Sequence, residues 1–310
     1  RRVLFRSFSS ILNHSVSHLV LMHRLGENIS QPIGRLMLNC PQETPNMTEP
    51  TVLYQEHGAV AQVTLNRPAN LNSLNFEMHQ ALWRALDQAE SNSAIRALVL
   101  TGAGRGFCAG ADLSSFDFSE GPNRIERADP GPVIERSFNP TTRRLMRLRM
   151  PAIAAINGVA AGAGASIAMA CDIAIAHPQA SFIQAFSKIG LIPDAGGSWL
   201  LVERLGLARA LALAMTGDKL MAPQAKDWGL IWGVEEDCVG AAMAMAEKLA
   251  VMPTAALVAT RHLLRDASTR TLDQHLDIER DTQSMLGRSH DYFEGVSAFL
   301  EKRQPKFKGE

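Results

Sequence analysis

Apolar and polar positions fall into short segments of changing period from Val52 onward. Ala61, Val63 and Leu65 alternate with Gln62 and Thr64, which predicts a half-buried strand. Asn66-Arg67-Pro68-Ala69-Asn70 breaks that pattern. Asn75 is placed to cap a helix whose apolar face is Met78, Leu82, Ala85, Leu86 and Ala89. Residues 95–101 form a short apolar run, the mark of a buried strand. Residues 102–110 are a glycine-rich turn. Residues 114–142 are polar and charged and contain Pro122, Pro130, Pro132 and Pro140; they predict a long surface loop of the kind that often serves as a lid. A strand over 153–156, a helix of small residues over 162–170 and a strand over 172–176 follow, and helical patterns then run to the C-terminus. Strands alternating with helices predict an α/β core with an appended helical piece.

Hydrophobic residues make up 46% of the 310 positions and charged residues 20%, enough apolar material to exclude wholesale disorder. Basic and acidic residues balance at 31 each. Zero net charge points away from nucleic acid or an anionic membrane as partner, so an anionic ligand must be held by local groups. Cys40, Cys108, Cys171 and Cys238 are irregularly spaced and predict reduced thiols and a cytoplasmic setting, with no disulfide framework. The nine histidines show no metal-ligand spacing, so no metal is expected. Residues 1–46 are expected to lie outside the fold. Arg1-Arg2-Val3-Leu4-Phe5-Arg6-Ser7 reads like a translated adapter oligonucleotide ahead of a natural start at Met47. The competing reading is a mitochondrial transit peptide, since residues 1–26 contain Arg and Ser and no acid.

Two glycine-rich stretches carry candidate chemistry. Gly106-Phe107-Cys108-Ala109-Gly110-Ala111-Asp112-Leu113 follows a predicted strand, and its glycines allow backbone to approach a ligand closely. Gly104, Gly106 and Ala109 formally match a dinucleotide fingerprint, but that motif needs a helix directly after it, and a proline-studded segment follows instead. Residues 153–166 run from a strand through Asn157-Gly158 into a helix of tiny side chains, whose free N-terminal N–H groups suit an oxyanion, although tight helix packing also favours such residues. Two main-chain N–H groups from separate loops can hold one carbonyl oxygen as it gains charge.

Residues 106–113, 153–172 and 190–197 resemble the signature segments of the crotonase (enoyl-CoA hydratase/isomerase) superfamily, and the resemblance runs over residues 51–310. The resemblance implies a spiral of ββα units (a ClpP-like fold) over residues 47–250 and a helical trimerisation region over 251–310. It also implies a homotrimer or a dimer of trimers and an acyl-CoA substrate, with no separate cofactor because coenzyme A is part of that substrate. It places the oxyanion hole at the N–H groups of Ala111 and Ala163. CoA contacts fall at Arg67, Ala69, Asn70, Leu71, Gly110, Asp112, Leu113 and Gly162; Lys306 or Lys308 in the basic tail is a candidate for a phosphate, although plain solvated charge is the better-favoured reading of those lysines. The two glutamates with which the family's hydratases activate water match Ser166 and Phe186 here, and neither is a carboxylate. Loss of both bases implies negligible hydration, and both residues are assigned to the acyl pocket. Asp194 matches the aspartate of members that isomerise or dehalogenate CoA thioesters. It is therefore the candidate for proton transfer, although an aspartate before a helix also reads as a cap. Phe186, Phe182 and Trp199 are candidates for an apolar wall around it, although such residues more often belong simply to the core.

Residues 157–165, 186–194, 227–232 and 295–303 are most similar to members that convert the ring epoxide 2-(1,2-epoxy-1,2-dihydrophenyl)acetyl-CoA to its oxepin thioester in phenylacetate breakdown. A Δ3,Δ2-enoyl-CoA isomerase of fatty-acid oxidation is the alternative within the family. A non-catalytic scaffold or RNA-binding relative of the same fold is the alternative outside enzymology.

Overall fold

A computed structural model describes residues 49–310; the expectations for residues 1–46, including Cys40, and for a start at Met47 lie outside these residues. A hairpin, β1 (Val52–His57) and β2 (Val60–Leu65), opens the fold and leads into α1 (Phe76–Ser91). The Asn75 side chain accepts from the Met78 N–H at 2.9 Å, and Met78, Leu82, Ala85, Leu86 and Ala89 are all buried, as their spacing predicts.

Two strands, β3 (Ala97–Gly102) and β4 (Gly106–Cys108), then precede a segment of single turns, α2 (Arg124–Arg127) and α3 (Gly131–Val133). A π-turn at Ile134–Phe138 continues into α4 (Asn139–Arg147). The stretch expected as a plain loop is therefore partly helical; Pro130 and Pro132 sit at the start of α3, where a missing N–H costs nothing, and Pro140 comes just after the π-turn. Next come β5 (Ala152–Ile156), β6 (Val159–Ala161) and α5 (Ala163–Ala170), then β7 (Ile173–Ala176) and β8 (Ser181–Ile183). After them stand α6 (Gly197–Leu205), α7 (Leu207–Thr216), β9 (Lys219–Met221), α8 (Ala222–Asp227) and β10 (Gly233–Val234). Four helices close the chain: α9 (Cys238–Ala250), α10 (Thr254–Asp266), α11 (Leu272–Leu286) and α12 (His290–Leu300).

The strands form two sheets, one ordered β1-β2-β3-β5-β7-β10 and one ordered β4-β6-β8-β9. Each circuit of the chain leaves one strand in each sheet, as β3 then β4, β5 then β6, β7 then β8, which makes a spiral. Every residue of β3 and β5 is buried because the central parallel strands are covered on both faces. On one face Ala97, Val99, Ile153 and Ala155 pack against the alanine row of α9, Ala242, Ala246 and Ala250. On the other, Leu98, Leu100, Ala154 and Ile156 join the main core with α1 and α5. Asp172 fastens α10 to this sheet: its carboxylate meets Arg261 at 3.1 Å, Arg265 at 3.0 Å and the Ala152 N–H at 2.9 Å.

Candidate active site

All eight residues of α5 are buried between the sheets. At Gly164 a Cβ would overlap the Cys108 carbonyl oxygen, so the small side chains let the start of α5 sit directly on the loop after β4. That loop is laced to residues 67–74. Ala109 N–H donates to the Leu71 carbonyl at 2.9 Å, Leu74 N–H to Gly110 at 2.7 Å, and Asp112 N–H to Leu74 at 2.9 Å. The last two bonds make a parallel bridge between Leu74 and Ala111. In such a bridge the flanking residues supply both bonds, so the N–H of Ala111 itself points the other way. Among the described residues it has no acceptor, and neither has the N–H of Ala163 at the first position of α5.

Gly110 brings the two amides together. It holds φ 96°, and a Cβ there would stand 2.8 Å from the Ala161 carbonyl oxygen and 3.3 Å from the Ala163 nitrogen. The two loops therefore touch at a point that admits only glycine. Two unpartnered N–H groups, one at the positive end of a helix, open onto a cavity of about 470 Å³.

Asp194 lines the same cavity. Its carboxyl does not cap α6: the N-cap is Gly196, no side chain bonds there, and only the Asp194 carbonyl meets the Gly197 N–H, at 2.7 Å. The Oδ1 atom is buried with no hydrogen-bond partner among the described residues. Burial, partly opposed by its own backbone N–H, pushes the carboxyl up to about 6. The residues around it are apolar: Phe186 and Leu191 beside it, and Phe116, Ile134 and Phe138 from the partly helical segment after β4. That segment does wall the cavity, as its lid-like composition implies.

The structure brings together Gly110, Ala111, Leu113, Gly162, Ala163, Phe186 and Asp194 on one cavity. Phe186 packs its ring edge 3.6 Å from where a Gly162 Cβ would lie. Ser166, expected in the acyl pocket, is instead wholly buried behind it, where its hydroxyl donates to the Asp194 carbonyl at 3.0 Å. Of the three aromatics proposed for the wall only Phe186 belongs to it. Phe182 is buried in the core, and Trp199 is 42% exposed and lines a separate groove with Arg204 and Arg261. Arg67, Ala69, Asn70 and Leu71 are off the cavity wall, in a 3-10 turn whose Ala69 and Asn70 are exposed. The Arg67 guanidinium is already engaged, with Asp112 at 2.8 Å and the Ser73 carbonyl at 2.6 Å. The Ser114 hydroxyl and Arg67 hold the Asp112 carboxyl below its usual range.

Sequence reasoning passed over Asn72. It is fully buried, with its amide donating to the carbonyls of Ala103 at 2.9 Å, Gly106 at 2.8 Å and Phe107 at 3.2 Å. One side chain thus gathers the loop that presents Ala111. An asparagine among turn residues gives no sign of such burial. Cys108, Cys171 and Cys238 are buried free thiols, and burial pushes Cys108 up to about 12, which makes it inert.

The family model for enoyl-CoA hydratase/isomerase matches residues 55–310. The chain is 50% identical over 261 residues to the 1,2-epoxyphenylacetyl-CoA isomerase of Escherichia coli K12, covering 83% of this chain and 98% of that protein. It is 40% identical over 265 residues to a probable enoyl-CoA hydratase of Rhodobacter capsulatus, covering 85% and 100%. An enoyl-CoA hydratase from Polaromonas sp. JS666, known as a crystal structure, superposes with a TM-score of 0.75 at 35% identity over 83% of this chain and 99% of its own. Names on both sides of the divide between isomerase and hydratase occur among these relatives.

Proposed function

The chain belongs to the enoyl-CoA hydratase/isomerase family and has the crotonase fold, and from that premise we propose that it isomerises an acyl-CoA thioester. The carrying observation is a single one: a buried, unpartnered carboxyl oxygen of Asp194 shares an apolar cavity with two unpartnered amides. The amides of Ala111 and Ala163 take the thioester carbonyl oxygen and polarise it, which acidifies the neighbouring carbon. Asp194 removes a proton from that carbon; the C–H electron pair becomes the C=C of an enolate and the carbonyl pair moves to oxygen. Return of the proton at the γ carbon shifts the double bond, with no atom gained or lost. Water addition would need a base dedicated to water. Ser166 faces the main chain, Phe186 is apolar, and Asp194 is the one acidic residue among the described cavity walls.

The substrate favoured by the 50% identity to the epoxyphenylacetyl-CoA isomerase is a ring-epoxide thioester of that kind. Phe116, Phe138 and Phe186 around the acid suit a flat ring. The nucleotide end of CoA is assigned to the exposed turn at Ala69 and Asn70, beside Asp112 and Leu113. Exposed Phe293, Phe299 and Leu300 on α12 support self-association through the C-terminal helices.

The test presents the purified protein with 2-(1,2-epoxy-1,2-dihydrophenyl)acetyl-CoA, a 3-enoyl-CoA and a 2-enoyl-CoA in parallel. The expected result is rapid loss of the epoxide, slower double-bond shift and negligible hydration. Preference for the 3-enoyl-CoA identifies the fatty-acyl isomerase instead, and hydration as the fastest reaction refutes the isomerase assignment. Asp194→Asn is expected to abolish isomerisation while CoA-thioester binding persists.

A further inference from the structure

With no hydrogen bond to fix its Oδ1, the carboxyl of Asp194 takes its direction from its own backbone. That backbone is unusual. Ala195 holds φ 50° and Gly196 φ 78°, two left-handed residues in succession, and the first carries a Cβ. A left-handed alanine persists only where its surroundings hold it. Here two hydroxyls do so from two different helices. Thr142 on α4 donates to the Ala195 carbonyl at 2.9 Å, and Ser166 on α5 donates to the Asp194 carbonyl at 3.0 Å. Both hydroxyl side chains are buried, which limits the access of water to these bonds. The fit around Ser166 is tight, because a Cβ at Gly197 would overlap its hydroxyl. The Ser166 hydroxyl also lies 3.4 Å from the Gly162 carbonyl, in the turn that delivers the Ala163 amide.

We propose that Thr142 and Ser166 are positioning residues, a pair of hydroxyl clamps that hold the strained 194–195 backbone and thereby aim the Asp194 carboxyl at the acyl group. This inference rests on the catalytic reading of Asp194. It assigns Ser166 a role other than lining the pocket: a short hydroxyl, tied back to the main chain, serves the geometry of a different acid. α4 continues the helical wall that bears Phe138, so the position of the acid is tied to the element that covers the substrate.

The experiment is steady-state kinetics of Thr142→Val, Thr142→Ser, Ser166→Ala and Asp194→Asn on the ring-epoxide thioester and a 3-enoyl-CoA. Competent sites are counted by calorimetric titration with acetyl-CoA, so that incomplete folding divides out. Thr142→Val keeps the shape and removes the donor; it and Ser166→Ala are each expected to lower kcat per site by roughly 10–100-fold with KM nearly unchanged. Thr142→Ser is expected to stay within about twofold of the parent, because it keeps the donor. A merely structural role predicts fewer sites, each with the parent kcat, and that result overturns the clamp. Loss of turnover in Asp194→Asn alongside normal kcat in the hydroxyl variants sinks the clamp alone. Persistence of turnover in Asp194→Asn removes the catalytic reading and the clamp with it.

Discussion

Replacing Asp194 by asparagine is expected to stabilise the protein at the pH where it destroys activity. In the folded chain the carboxyl is raised from 3.8 to about 6. The native state therefore favours the protonated form, and the associated stability is fully present below pH 3.8 and lost as pH rises through about 6. Full ionisation in the cavity costs about 3 kcal/mol relative to the unfolded chain. About 1.6 kcal/mol of this is already felt at pH 5 and nearly all of it at pH 8. Asparagine has no charge to bury, and its constant packing and amide terms cancel when the two pH values are compared. The advantage of Asp194→Asn over the parent should thus grow by about 1.4 kcal/mol between pH 5 and pH 8, or ~3–6 °C in Tm for a domain of this size. Parallel thermal scans of the two ligand-free proteins at both pH values, at one ionic strength, measure that increment. An increment of zero, or one that shrinks toward high pH, refutes the reasoning, because the carboxyl is then solvated or paired. An active site that stores unfavourable electrostatics for its chemistry is a common form of the trade between stability and function.

The same carboxyl sets the pH dependence of turnover. The value of kcat/KM should climb about tenfold per pH unit below 6 and level off above it, as the carboxylate forms, in a pH–rate profile of the parent. Gly110→Ala is expected to cost about 10²–10³ in kcat, since a Cβ 2.8 Å from the Ala161 oxygen forces the Ala111 and Ala163 amides apart; an unperturbed kcat would show that the amides do not act together. Asn72→Ala should destabilise by roughly 3 kcal/mol in urea, because buried carbonyls of the loop lose their donor. A loss below about 1 kcal/mol would mean that water replaces the amide.

Much of this architecture is legible from periodicity, but unevenly. The buried elements announce themselves: α1 through its capping asparagine and apolar face, β3 and β5 through short, mainly apolar runs. The second sheet does not, because β4, β6, β8 and β9 are three residues each, too short for any alternation to register. The loops of the site stand out because glycine marks where backbone must come close. Asp194 is visible only by resemblance, since its local sequence reads as a cap, and the difference lies in burial, which no window of residues reports. Thr142 and Asn72 escape for the same reason: their partners are carbonyls 53 and up to 35 positions away. Ser166 shows the opposite failure. The resemblance puts it in the acyl pocket, but its short side chain turns to the Asp194 carbonyl and leaves the cavity wall to other residues.

The oxygen-binding amides belong to the main chain, and that has a consequence for how such a protein can change its trade. A substitution at 111 or 163 changes the side chain but cannot delete the N–H, so on the proposed reading the electron-withdrawing half of the site is lost through changes that move the backbone, such as Gly110→Ala. The acid or base, by contrast, is one side chain; on the proposed reading it stands at 194, while the resemblance implies that positions 166 and 186, here Ser and Phe, could carry one instead. On that reading a change of reaction on the same thioester asks for a carboxyl moved from one wall of the cavity to another, with the main-chain frame that activates the carbonyl left as it is.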